Sequence, residues 1–182
     1  MITSLRLRNF KSIEDQTYTF DQFDLLVGRN NSGKSTILQS LAIWQFCVEE
    51  FRRGDRRGKT GKQVVLPNFT ALPVPEFNLL WREKTDRRYT LKEDHAKKKQ
   101  EFVLVEIDVT WITDPPEPRQ CSFGVKLRYS SPQTIYAIPS EGWEHFRDLE
   151  GKPSTANSLL PIIAYVPPFS GLEPTEEWRD DG

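Results

Sequence analysis

The sequence predicts an α/β fold, and three observations carry that prediction. A short apolar run, Phe23-Asp24-Leu25-Leu26-Val27, stops at Gly28. A glycine-bounded loop follows, and from Gly33 the apolar residues change to a helical period. Farther along, residues 102–138 alternate in the manner of half-buried strands joined by short turns.

The elements follow in order. Ile2, Leu5 and Leu7 alternate with Ser4, Arg6 and Arg8, which reads as a half-buried strand over residues 2–8. A second short strand is expected around Gln16–Phe20, where Tyr18 and Phe20 share a face. Phe23–Val27 reads as a buried-type strand running into the loop. Ile37, Leu38, Leu41, Ala42, Trp44 and Val48 then mark an amphipathic helix through about Arg52. RRGDRRGKTGK, over residues 52–62, is too polar and glycine-rich to pack and is expected to be a loop. Prolines 67, 73 and 75 extend the irregular stretch, PEFNLLWRE from Pro75 reads as a short helix, and Lys92–Gln100 reads as a solvated connector. Strands are then expected at Phe102–Thr113, Gln120–Tyr129 and Thr134–Ile138, forming an antiparallel meander. The continuous apolar run Leu159–Val166 suggests a strand covered on both faces.

Composition narrows the function classes. A net charge of −1 excludes a whole-surface footprint for nucleic acid, so any DNA contact must be local. The candidate is the basic stretch Arg52, Arg53, Arg56, Arg57, Lys59 and Lys62, whose plainer reading is a solvated loop. Cys47 and Cys121 lie far apart, so neither a CxxC metal pair nor a disulfide framework arises, and each reads as a small buried apolar residue. His95 and His145 lack ligand-spaced partners. The N-terminus has no signal-like apolar stretch and no apolar run reaches the length of a membrane span, so a soluble cytoplasmic protein without membrane contact is expected.

The chemistry concentrates at Gly28-Arg29-Asn30-Asn31-Ser32-Gly33-Lys34-Ser35, which fits G-x-x-x-x-G-K-[ST] at every fixed position. With glycine at about 7% of residues, a chance match in so short a chain is under roughly 1%. Glycines at 28 and 33 permit backbone conformations and close approach that a Cβ would block. Successive N–H groups, with the N-terminus of the following helix, then make a cradle for phosphate. Lys34 supplies a point charge for the β- and γ-phosphates and is the candidate catalytic residue. The Ser35 hydroxyl can ligate Mg²⁺, and Thr36 is placed for the α-phosphate. ATP with Mg²⁺ is the expected ligand. No Asn-Lys-x-Asp base-reading motif points to a GTPase.

The flanking residues carry a family resemblance. LRLRNFKSIED at Leu5–Asp15 resembles the opening strand and Asn-Phe-(Lys/Arg)-Ser turn of SMC/RecF-like ABC ATPases, including bacterial AAA-type proteins of DNA-repair and anti-phage systems. Gly-Arg-Asn-Asn-Ser-Gly-Lys-Ser-Thr is similar to that family's form of the loop. The resemblance implies a P-loop N-terminal lobe of ABC-ATPase type, with a mixed sheet around the loop helix plus an antiparallel β-layer. It places Arg8, Asn9, Lys11 and Ser12 near the nucleotide, while Arg6 keeps the plainer reading of solvent-side strand residue.

One partial ATPase domain over 1–182 is then expected: a core at 1–52, an irregular basic and Pro-rich insertion at 53–101, the meander at 102–139, and a hinge strand with an acidic tail at 140–182. Where family members carry a glutamine after the hinge strand, this chain has Pro167-Pro168-Phe169-Ser170. The Walker B strand, switch histidine and signature motif of a complete head do not occur in it. Glu106 and Asp108, the nearest carboxylates behind an apolar stretch, read as the solvent face of a strand. The resemblance thus implies half of a composite site, completed by a C-terminal lobe or by a second head in a head-to-head dimer. The competing expectation is a nucleotide-binding interaction module that docks a partner without turnover.

Overall fold

A computed structural model describes residues 1–29, 33–53, 61–91, 98–113, 118–140, 160–161 and 163–164. Strand β1 (Ile2–Phe10) turns tightly into β2 (Ile13–Thr19), and helix α1 (Lys34–Arg53) follows the loop. Strands β3 (Lys62–Val65), β4 (Arg87–Leu91), β5 (Lys98–Phe102), β6 (Val105–Ile112), β7 (Gln120–Ser131) and β8 (Thr134–Pro139) complete the set. Six of these strands form one sheet in the order β2-β1-β6-β7-β8-β3, and β4 and β5 form a separate pair.

Alternation dictates which way the large sheet faces. Leu5 and Leu7 of β1 pair with Val109 and Ile107 of β6, which pair with Phe123 and Val125 of β7. All six are 0–1% exposed and lie on one face. Helix α1 covers that face with Ile37, Ile43, Trp44, Cys47, Val48 and Phe51, all buried at helical spacing. Trp44 is the deepest anchor. Its ring meets Trp111 and Phe123 edge-on at 5.8 and 6.2 Å, and its Nε1–H donates to the Phe123 carbonyl at 2.9 Å. A buried indole N–H left unpaired would cost about 1–3 kcal/mol, so this bond fixes both the height and the rotation of the helix. The proline-rich stretch closes the rest of the core. Phe69 packs edge-on against Phe46 at 5.1 Å and Phe77 at 5.2 Å, and the Trp81 indole donates to the Val103 carbonyl at 2.6 Å.

The opposite face is a ladder of charge. Register places Asp15, Arg8, Glu106 and Lys126 side by side across β2, β1, β6 and β7. Arg8 bridges Asp15 at 3.3 Å and Glu106 at 3.1 Å, and Lys126 reaches Glu106 at 3.8 Å. Arg6 grips Asp15 through two hydrogen bonds of 3.0 and 2.9 Å, which hold that carboxyl below its usual range.

The meander at β6–β8 and the outward setting of Glu106 and Asp108 agree with expectation. Several other elements differ. Every pairing among the described strands is antiparallel and β1 shares a sheet with the meander, so the described residues form one antiparallel sheet beside the β4–β5 pair and no mixed sheet. Phe23–Val27 is not a strand, and Phe23, Leu25 and Val27 are 84%, 76% and 80% exposed. The Asp24 carboxylate accepts from the Asp21 N–H at 2.9 Å, which bends the chain just where a strand would begin. Residues 53–101 hold three strands as well as turns, and PEFNLLWRE forms two 3₁₀ turns at Phe77–Leu80 and Arg82–Lys84. The connector expected at Lys92–Gln100 becomes strand β5 from Lys98. Cys47 is fully buried, which pushes its thiol pKa up, while Cys121 is half-buried. Leu160 and Ile163 pack against the core. Leu159, Ile162, Tyr165 and Val166 of the apolar run, the acidic tail, and both histidines lie outside the described residues.

Two glycines sit where side chains would collide, and they should respond differently. A Cβ on Gly61 would meet the Ala137 carbonyl oxygen at 2.6 Å and Ile138 Cγ1 at 2.4 Å. A Cβ on Gly124 would meet Ser140 Oγ and Asp108 Oδ1, at 2.0 and 2.1 Å, which are side-chain tips able to swing away. Gly61→Ala should therefore lose about 1–3 kcal/mol in urea unfolding, with Gly124→Ala losing less. The reverse ordering would show that the β3–β8 edge yields more easily than the outer face.

Candidate phosphate-binding site

The site begins with a backbone requirement. Gly33 stands at φ +90°, a conformation that costs an L-residue about 1–2 kcal/mol, and no atom lies within 4 Å of where its Cβ would be. Glycine is needed here for its backbone freedom, not for space. The helix starts directly after it, with the Ile37 N–H bonding the Gly33 carbonyl at 3.2 Å. The N–H groups of Lys34, Ser35 and Thr36 precede that first bond and have no acceptor within the helix. No acidic residue occupies the first turn, so no carboxylate competes for the positive end of this 20-residue helix.

Lys34 curls back over the loop. Its ammonium donates to the carbonyls of Gly28 at 2.6 Å and Arg29 at 2.7 Å, which ties the two described ends of the loop together. Ser35 is exposed, and Thr36 is buried. Asn30, Asn31 and Ser32 lie outside the described residues. A fixed ammonium, an exposed hydroxyl and three helix-start N–H groups suit a phosphate group and its Mg²⁺. Among the described residues there is no cluster of carboxylate, histidine or cysteine side chains able to hold a metal by itself.

The turn after β1 reaches α1 from the side. Asn9 and Lys11 both adopt φ +52°, bracketing the fully buried Phe10. The Asn9 amide donates to the Leu104 carbonyl at 2.9 Å, and the Lys11 N–H donates to the Leu80 carbonyl at 2.9 Å. The Lys11 ammonium donates to Gln39 Oε1, one helical turn beyond Ser35. Burial pushes the pKa of Lys11 below its ordinary value. Gln39 was not singled out by sequence reasoning. Its place four residues after Ser35, on the face above the loop, is the signal that would have found it.

The expected group of Arg8, Asn9, Lys11 and Ser12 is therefore divided. Lys11 meets the loop helix. Asn9 is spent on fixing the β1 end, and Ser12 is exposed. Arg8 is placed elsewhere: strand alternation turns it away from the face that carries α1, into the ion pairs with Asp15 and Glu106. Arg6 lies on the same outer face, as the plainer reading had it. In the basic stretch, Lys62 is engaged by the Glu50 carboxylate at 2.7 Å and carbonyl at 2.9 Å, and Arg52 is exposed. Residues 54–60 lie outside the described set.

A lysine closing a glycine-bounded loop at the start of a core helix defines a phosphate-loop protein. A family model described as "AAA ATPase domain" matches residues 1–109, from β1 through most of β6, and the chain belongs to that family. Its members are P-loop ATPases. No curated protein matches the chain. Among the described residues, no helix is long and apolar enough to cross a membrane.

The strained turn gives a stability prediction. Asn9→Ala loses the bond to Leu104 and places a less tolerant residue at positive φ, so it should cost about 1–3 kcal/mol in chemical unfolding. Asn9→Gly keeps the conformation and should recover part of that loss. Equal losses for both would assign the whole effect to the hydrogen bond.

Proposed function

We propose that this chain binds ATP with Mg²⁺ through Gly28–Thr36 as the N-terminal lobe of an SMC/RecF-like ATPase. The observation that carries the reading is the Lys34 ammonium folded onto the Gly28 and Arg29 carbonyls, at the acid-free start of α1. Lys34 serves the β- and γ-phosphates and Ser35 a Mg²⁺ ion, while Lys11 braces the helix through Gln39. Hydrolysis belongs to the complete head, in DNA repair or anti-phage defence. Support for a composite site comes from Phe23, Leu25 and Val27. These are large apolar side chains exposed immediately before the loop, where a companion lobe or second head would cover them.

A second reading is favoured by one observation. Glu106 is committed to Arg8 and Lys126, and Asp108 accepts from the Ser140 hydroxyl at 3.3 Å, both on the face away from α1. Neither carboxylate is free to orient water at the loop. The isolated chain then acts as a nucleotide-binding module that docks a partner without turnover.

Calorimetric titration of ATP·Mg²⁺ tests the site. Wild type should bind, and Lys34→Ala should weaken binding by tenfold or more, on the scale of about 1.5–3 kcal/mol for a charge-assisted hydrogen bond. Equal affinity in the two proteins would remove the proposal. Phosphate release from the chain alone should stay near background, and brisk turnover would sink the second reading.

A further inference from the structure

We infer that the outer face of the chain carries a binding surface for single-stranded nucleic acid, built around Tyr89, Phe102 and Arg128. It stands apart from the phosphate loop, on the side of the sheet opposite α1. The surface starts from the β4–β5 pair. Register puts Arg87 opposite Phe102 and Tyr89 opposite Gln100, so these four residues share one face of the hairpin. Tyr89 and Phe102 are 66% and 49% exposed, unusual for aromatic rings that have a core available to them. They are diagonal neighbours, which in an antiparallel pair places them about 7–8 Å apart.

The rings are held between cations. Arg87 lies 5.5 Å from the Phe102 centroid and Arg128 of β7 lies 5.4 Å from it. Arg128 also lies 4.7 Å from the ring of Tyr136 on β8, its register partner. The result is a row of alternating guanidinium and aromatic groups, Arg87–Phe102–Arg128–Tyr136, continued along the hairpin by Tyr89. Gln100 Nε2 meets the Tyr89 hydroxyl at 3.4 Å and steadies that ring. Arg87 is shared with Asp86 at 3.3 Å. Among the described residues no carboxylate pairs with Arg128.

Two chemical properties select the ligand. The guanidinium groups ask for anions, and the exposed ring of Tyr89 asks for a flat partner of comparable size. A nucleic-acid strand with unstacked bases supplies both at a repeating interval. A duplex keeps its bases stacked and offers the rings nothing. An acidic peptide would satisfy the arginines and leave Tyr89 exposed. The net charge of −1 for the whole chain is no obstacle, because the contact asked for here is local, through Arg87 and Arg128.

The test uses the full chain and fluorescence anisotropy of a labelled oligo-dT of about 16 nucleotides, the upper range of single-module site sizes. Wild type should bind the strand, and an equal-length duplex or polyglutamate should compete poorly. Tyr89→Ala, at a ring too exposed to support the fold, should weaken binding by about 5- to 150-fold, the usual effect of removing one stacking platform. Arg128→Gln should weaken it and flatten the logarithmic salt dependence by about 0.7, the value of one phosphate contact on a single strand. Lys34→Ala should bind the strand as wild type does, which separates this surface from the nucleotide site. Circular dichroism should show both surface variants folded. The inference is overturned if wild type fails to bind at low salt, if Tyr89→Ala binds as well as wild type, or if polyglutamate or duplex competes as well as oligo-dT.

Discussion

The hydrogen bond from the Trp44 indole to the Phe123 carbonyl sits at the point on which the rest of the fold turns. The large sheet has one apolar face, and among the described residues a single long helix covers it. A helix held only by aliphatic contacts could slide or rotate at little cost, because dispersion is not directional. The indole N–H is directional, and it lies among Trp111, Phe123 and the buried stripe of α1. Fixing Trp44 fixes the rotation of α1 and thereby the position of its first turn, ten residues earlier in the chain. Lys34 and Ser35 can present an ammonium and a hydroxyl at one end of the core because the middle of the helix cannot move.

The same one-sidedness explains what lies on the outer face. Among the described residues no helix covers that face, and its charges are arranged in opposite-sign neighbours across four strands. Exposed pairs of this kind contribute little individually, about 0–1 kcal/mol. Their arrangement also avoids like charges directly opposite one another, which would weaken strand pairing. Arg8 belongs to this lattice. Its neighbours Asn9 and Lys11 face a different demand, since the β1 end must deliver Phe10 into the core and turn within two residues. Positive φ at both positions is the result. The strain is offset by full burial of Phe10 and by bonds to Leu104, Leu80 and Gln39, which tie the turn to three separate parts of the chain.

How much of this was legible in the sequence follows from which forces are local. β1, β6, β7 and β8 were readable because half-buried strands alternate, and burial on a single face writes that period into the chain. The loop was readable because Gly33, Lys34 and Ser35 are required by type and spacing. β3, β4 and β5 were obscured by their basic, polar composition: the side chains described there are mostly exposed, so their strand character comes from backbone pairing and leaves little hydrophobic period. Phe23–Val27 failed in the opposite sense. Its apolar content suggested burial, but a strand needs a ladder partner, and the Asp21–Asp24 bend takes the chain elsewhere. The face that Arg8 takes was hidden for a related reason, because proximity in sequence to the loop says nothing about which face of a strand a side chain takes.

The two faces together suggest why aromatic residues are used so differently on each. On the core side Phe46, Phe69 and Phe77 form a chain of edge-on contacts, Trp44 meets Trp111 and Phe123 edge-on, and Trp81 meets Tyr129; the rings bring area and the two indole N–H groups bring direction. On the outer side Phe102 and Tyr136 are flanked by guanidinium planes and keep accessible area. Core stability does not require that second arrangement, since a polar residue at position 102 would expose less apolar surface. An exposed ring held between cations is a local conflict with the hydrophobic effect, and such conflicts in a folded chain concentrate where a surface is kept for binding. The α1 terminus and the Arg128 stack are then two anion-seeking surfaces of different character, one built from backbone dipoles and a lysine, the other from planar cations and rings. They lie on opposite sides of a single sheet.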